Sequence, residues 1–232
     1  MRKLLIVLGA SVEVMLGQNA ITADHNLNGW YIYSGDHPVK GKFGIHLEGQ
    51  LRRHNLITRG QQWQVRPAVN YQVKPGIMIS SGYAFTATYR YGGLPVDYSF
   101  DEHRLYQQLS LKKKWRKTTF ENRFRLEQRW LERKNGGETL WRYQDRFRHF
   151  LKGSIPIKGK WYLASYNEIF INGRRATGAK LFDQNRAYAA LGATVNKTTR
   201  VEVGYLQQTL SRFNGRAFEY NHTFQLALFS TR

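Results

Sequence analysis

The chain has no cysteine, which removes disulfides, thiolate zinc sites and cysteine nucleophiles together. It leaves the compartment open, because an oxidising space does not require disulfides. Acidic residues are scarce: 16 Asp and Glu stand against 36 Lys and Arg, a formal net charge of +20 over 232 residues. That field favours anionic partners such as nucleic acid, phospholipid headgroups or lipopolysaccharide, without choosing among them. Proline is down to 5 residues, whereas glycine reaches 21 and aromatics 14%, which suits many strands and turns and argues against a disordered basic tail. The seven histidines fall in no HxxxH or HxH spacing, so neither a metal site nor a cofactor is expected. Outside the N-terminus no segment approaches the roughly 18 apolar residues of a transmembrane helix. A chain of this kind enters a membrane only as strands.

The N-terminus, MRKLLIVLGASVEVMLGQNAITADH, has a basic start at Arg2 and Lys3, an apolar stretch from Leu4, and small residues near Ala20 and Ala23. Despite Glu13 within the apolar stretch and the lack of a clean A-x-A site, it resembles a secretory signal peptide over residues 1–23. One domain is then expected over 24–232.

What fills the rest is two-residue alternation. In KFGIHLEGQLR, Phe43, Ile45, Leu47 and Leu51 face one way, and Lys42, His46, Glu48, Gln50 and Arg52 the other. In QWQVRPAVNYQV, Trp63, Val65, Val69 and Tyr71 oppose Gln62, Gln64, Arg66 and Asn70. FENRFRLEQRWLERK makes no clean apolar stripe as a helix. As a strand it places Phe120, Phe124, Leu126 and Trp130 on one face, and Glu121, Arg123, Arg125, Glu127, Arg129 and Arg133 on the other. WRYQDRFRHFLK repeats the pattern, with Trp141, Tyr143, Phe147 and Leu151 opposite Arg142, Gln144, Arg146 and Arg148. Similar segments occupy 77–87, 103–112, 161–171, 183–195, 199–208 and 218–229.

Compact connections (VKPG, KKKWRK, KGSIPIKG, VNKT) take turns with longer ones (HNLITRGQ, TYRYGGLPVDYSFDE, ERKNGGET, NGRRATGAKLF, TLSRFNGRA). That alternation, with several segments beyond ten residues, predicts an all-β fold: an antiparallel up-and-down transmembrane β-barrel of about 10–12 strands. Starting at Lys42, the scheme has ten strands and begins and ends on the short-turn side, as an even-stranded bacterial barrel would. NGWYIYSG, residues 28–35, is left over as an extra strand or a segment lying against the barrel. Trp63, Tyr71, Trp130, Trp141 and Trp161 near segment ends suit an aromatic girdle.

The ordered pieces Trp30, FGIHLEGQLR, WQVRPAVNYQV, SGYAF, EHRLYQQL, FENRFRLEQRW, WRYQDRFRHF, YNEIFIN, DQNRAYAALG and VEVGYLQQ resemble the DUF2490 family of predicted bacterial outer-membrane β-barrels, over roughly Trp30 to Phe229. The resemblance implies an outer-membrane barrel with a signal peptide, and supplies no catalytic residues. The chain departs from common outer-membrane practice in ending Phe229-Ser-Thr-Arg rather than on an aromatic, with Phe229 on the face opposite Phe224, Leu226 and Leu228.

Arginine on the lipid side of such a barrel costs about 2–4 kcal/mol at the midplane, so the charged faces belong inside. The expected lumen network is Glu48, Arg66, Arg104, Glu121, Arg123, Arg125, Glu127, Arg129, Arg142, Arg146, Arg148, Glu168, Arg186, Arg200 and Glu202. Cross-strand pairing among these residues plugs a barrel of this size, whereas surplus arginines bind a small anionic solute or line a narrow anion path. Arg59, Arg133, Lys134, Arg174, Arg175, Lys180, Arg212 and Arg216 are expected on outer loops, facing outer-membrane lipid such as lipopolysaccharide or simply solvent. Two rival classes are set against this. A lipid-modifying enzyme would need a pair such as His103 with Ser110, but no G-x-S-x-G occurs. A soluble nucleic-acid binder would explain charge and aromatics together, but its basic residues would gather on one element rather than spread along the chain. No enzyme activity and no nucleic-acid partner are therefore expected.

Overall fold

The computed structural model describes residues 22–94, 98–135, 137–173, 180–212 and 216–231. The segment read as a leader lies outside them, except for Thr22 and Ala23, which open the first strand. The described residues contain eleven strands: β1 (Thr22–Lys40), β2 (Phe43–His54), β3 (Arg59–Lys74), β4 (Ile77–Thr88), β5 (Phe100–Trp115), β6 (Thr118–Asn135), β7 (Glu138–Pro156), β8 (Trp161–Asn172), β9 (Phe182–Thr194), β10 (Thr199–Arg212) and β11 (Ala217–Thr231). Each pairs with its chain neighbours, and the sheet closes where β1 meets β11.

The ten segments expected from Lys42 onward are β2 to β11, and the leftover NGWYIYSG lies within β1, which makes the count odd rather than even. Direction alternates along an up-and-down chain, so an eleventh strand leaves the first and last running the same way. The closing ladder is accordingly parallel, from Thr22 opposite Ala217 to Asp36 opposite Thr231, while every other ladder is antiparallel.

One rim carries the turns after β1, β3, β5, β7 and β9. On the other rim only 89–99 and 173–181 are long. Of HNLITRGQ, ERKNGGET and TLSRFNGRA, each expected as a larger loop, half or more is taken up by strand ends.

The alternation sorts inside from outside along most strands. Leu47, Leu51, Val65, Val69, Leu126, Phe147, Leu163, Phe224 and Leu226 are exposed on the outer wall, while Arg125, Glu127, Arg146, Arg148 and Glu168 are buried in the lumen. Trp63, Trp141, Trp161 and Tyr71 are exposed near strand ends, where the girdle was expected, and Trp130 stacks edge-on against Tyr143 at 5.4 Å. Trp63, Phe85, His103 and Trp141 continue that belt, with successive rings 5.0–5.3 Å apart. Inside, the only apolar cluster among the described residues is small: Trp30, Tyr188, Ala190 and Leu206, flanked by Ile32 and Tyr166. Lumen tyrosines lie flat across glycines of neighbouring strands. A Cβ at Gly82 would come within 2.7 Å of the Tyr106 ring, and one at Gly204 within 2.7 Å of Tyr188. Glycine at these positions makes room for the rings that fill the barrel.

Candidate functional site: the charged lumen

Strand register brings the inward charges of β2, β3 and β5 to β9 to one height. Glu127, 1% exposed, is the centre. Arg146 donates to its Oε2 from Nε and Nη2 at 2.8 and 2.6 Å, and Arg148 donates from Nη1 to Oε1 at 2.6 Å. Arg104 and Arg125 stand 3.8 and 4.0 Å away. Glu168 takes Arg148 at 2.7 Å and Arg123 at 2.9 Å, with Arg186 at 3.7 Å. Glu102 binds Arg104 at 2.7 Å and Arg129 at 2.5 Å. Glu48 takes Arg66 at 3.0 Å, and Asp183 takes Arg146 at 2.8 Å. The rings beneath help hold these cations. Phe170, fully buried, has the guanidiniums of Arg148, Arg186 and Arg146 at 4.3, 4.6 and 5.1 Å from its centroid.

The charges do not balance. Nine guanidiniums (Arg52, Arg66, Arg104, Arg123, Arg125, Arg129, Arg146, Arg148 and Arg186) share five carboxylates. Arg52 donates to Gln50 and Gln62 and sits 3.9 Å over the Trp30 ring. Arg125 donates to Gln108, 4.4 Å over Tyr106, and its buried Nη1 has no hydrogen-bond partner, nor has the buried Nε of Arg186. Arg52, Arg66, Arg104, Arg129, Arg146, Arg148 and Arg186 border a cavity of about 140 Å³ that opens toward the long-loop rim. That is room for several waters or a small anion.

The remaining expected residues lie at the edges. Glu121 is half-buried near the tight-turn rim, in register with Lys112 and Lys152. Arg200 points inward there, 5.8 Å from the Phe229 ring, and Glu202 binds Lys152 at 2.6 Å and accepts from Tyr162 at 3.1 Å. Arg142, inward by alternation, is exposed near the opposite rim beside Leu131.

Sequence reasoning passed over Arg52, Glu102 and Asp183. Glu102 and Arg52 were legible, being two residues from Arg104 and four from Glu48 on the same faces. Arg212, expected on an outer loop, instead ends β10 and reaches into the mouth, where Nη2 meets Glu219 at 2.6 Å. Tyr91, from the β4–β5 connection, donates to Glu219 at 2.8 Å and accepts from Arg212 at 3.2 Å. Gly93 and Leu94 N–H groups donate to Asp24 at 3.0 and 3.2 Å. This segment folds over the mouth. Arg59, Arg133, Lys134, Lys180 and Arg216 are exposed at that rim, and Arg174 and Arg175 lie outside the described residues.

The candidate dyad does not form. His103 faces outward, where its ring meets the Tyr83 hydroxyl at 2.5 Å, whereas Ser110 faces the lumen and accepts from Gln108 at 3.0 Å. They stand seven positions apart on one strand, an odd offset, so they sit on opposite faces.

A closed barrel with an apolar outer belt, aromatic rims and a charged interior defines a membrane-embedded β-barrel protein. No helix among the described residues is long and apolar enough to cross a membrane, and the wall crosses as strands. The chain belongs to the DUF2490 family, a family of proteins of unknown function, whose model matches residues 27–219. An uncharacterized protein of Methylorubrum extorquens is 28% identical over 199 residues, covering 82% of this chain and 81% of the relative. A solved NanC porin structure is 13% identical, covers 82% of this chain and 91% of its own, and superposes with a TM-score of 0.48.

Proposed function

We propose that this protein is a bacterial outer-membrane barrel, without catalytic activity, whose outward-facing vestibule binds small anionic solutes above a waist closed by its arginine–carboxylate network. One observation carries the reading: among the described residues nine lumen guanidiniums, eight buried and Arg123 half-buried, share five carboxylates. A buried cation without a counter-charge costs several kcal/mol, so the surplus favours an anion from solution. The outer-membrane assignment is supported by the leader-like N-terminus and by a strand-built wall.

The test is a triple substitution of Arg52, Arg146 and Arg186, which border the cavity, by glutamine. Anion retention by the refolded barrel, or anion conductance in planar bilayers, is expected to fall. Unchanged retention and conductance together with lower stability would mean that the network is only a plug.

A further inference from the structure

Outside the lumen, the long-loop rim carries a second feature, built where the β2–β3 register shifts between Arg52 and Arg53. A groove of about 600 Å³ lies there, bordered by Leu51, Trp63 and Tyr89 on its apolar side and by Arg53, Arg59 and Arg90. Among the described residues no carboxylate borders it; Asp101, on the same rim, is opposite Ala87, which in turn is opposite Trp63, and so lies two strands away, about 10 Å. Arg53 is held by two carbonyls, its Nε donating to Ile57 O at 3.0 Å and its Nη2 to Thr58 O at 3.3 Å, and among the described residues Nη1 has no hydrogen-bond acceptor. Arg59 and Arg90 are exposed. Below them the apolar side runs without a break into the belt through Leu51, Trp63 and Val65, which are 50%, 36% and 43% exposed.

We propose that this groove holds a phosphorylated glycolipid of the outer leaflet, with its phosphate on Arg53, Arg59 and Arg90 and an acyl chain along Leu51 and Trp63. The proposal rests on the outer-membrane reading above. Guanidinium forks match phosphate oxygens bidentately. The continuity with the belt selects lipid over a free anion, since inorganic phosphate has nothing to place on Leu51 and Trp63. Nucleic acid is likewise excluded by position, because the apolar half of the groove sits at membrane depth.

The experiment uses the full chain, refolded in detergent, freed of lipid and titrated with purified lipid A, with bound lipid counted by native mass spectrometry. The triple variant R53Q/R59Q/R90Q is expected to bind lipid A at least tenfold more weakly. K158Q/K160Q/K197Q removes the same charge from exposed positions on the opposite rim and is expected to bind as the parent does. W63A is expected to weaken lipid A without changing any charge. Equal weakening in both triple variants would reduce the effect to the overall field and overturn the site. Displacement of lipid A by inorganic phosphate at similar concentration would overturn the lipid assignment. A barrel that shows its heat-dependent gel shift but ignores lipid A sinks this site alone, whereas failure to form a barrel sinks the outer-membrane reading with it.

Discussion

Replacing Glu127 with glutamine keeps the side chain's shape and deletes one negative charge from among four arginines. Glu127 is 1% exposed, receives three donations from Arg146 and Arg148 at 2.6–2.8 Å, and has Arg104 and Arg125 within 4.0 Å. A unit pair at 4 Å is worth about 4 kcal/mol at an effective dielectric of 20. Part of that is offset by the carboxylate's own desolvation, which the variant no longer bears. Breaking one partner out of a buried pair typically leaves a loss of about 3–5 kcal/mol, and we expect E127Q to fall there. The assay is urea unfolding of the barrel in lipid vesicles, followed by tryptophan fluorescence and by the heat-dependent gel shift. E121Q is the comparator. Half-buried near the tight-turn rim, Glu121 should contribute less than about 1 kcal/mol. Adding R146Q to E127Q removes one stranded guanidinium, so the double variant should be less unstable than the two single losses added together. If E127Q and E121Q cost the same, bulk water already screens the waist. The closed network and the anion argument built on it would then both be wrong.

Arginine at Leu126, an exposed outward position midway along β6, should cost about 2–4 kcal/mol of insertion stability; an equal stability in vesicles would contradict the membrane orientation of the wall. Burial pushes the Tyr91 hydroxyl up to about 12, with Glu219 adding to the effect. Because the folded value lies above the ordinary one near 10, this contribution to stability is complete below pH 10 and is lost between 10 and 12. The ultraviolet difference titration of parent minus Y91F should show one tyrosine ionising late, and a difference centred near pH 10 would mean that the segment does not fold over the mouth. His103→Ala and Ser110→Ala should have no shared phenotype, since the two face opposite sides of β5. Matching loss of lipid turnover in both variants would revive a catalytic pair.

Period-two alternation carried most of the fold, because a barrel wall separates two unlike media. Phe120, Phe124, Leu126 and Trp130 facing out, and Arg123, Arg125, Glu127 and Arg129 facing in, follow from the cost of arginine in hydrocarbon alone. β1 was harder to see for the same reason. Its inward face mixes Asn26, Asn28 and Trp30, and its outward face is interrupted by Gly29 and Gly35, so neither face has the contrast that marks the other strands. Without that strand the count is even and the closure antiparallel; with it, the closure must be parallel. Loop lengths failed differently. Polar, glycine-containing stretches such as ERKNGGET look like loops, yet backbone pairing continues above the membrane, where side-chain polarity no longer discriminates strand from loop.

The candidate site divides along a finer line. Arg52 and Arg66 are indistinguishable by pattern, each an inward arginine among glutamines on adjacent strands. In the folded register Glu48 stands opposite Arg66, whereas Arg52 stands opposite Gln62. One arginine therefore has a carboxylate at 3.0 Å, and the other has glutamine oxygens and the face of Trp30. Alternation assigns a side chain to a face, but height and pairing along that face depend on register, which is set by turns and by shifts such as the one between Arg52 and Arg53. The cation surplus is consequently a property of register. Gln62→Glu, which sets a carboxylate opposite Arg52 and removes no arginine, should therefore lower anion retention, whereas Thr198→Glu on the exposed tight-turn rim adds the same charge and should not. An equal fall in both variants would mean that the overall field of the chain, rather than the arrangement at the waist, recruits the anion.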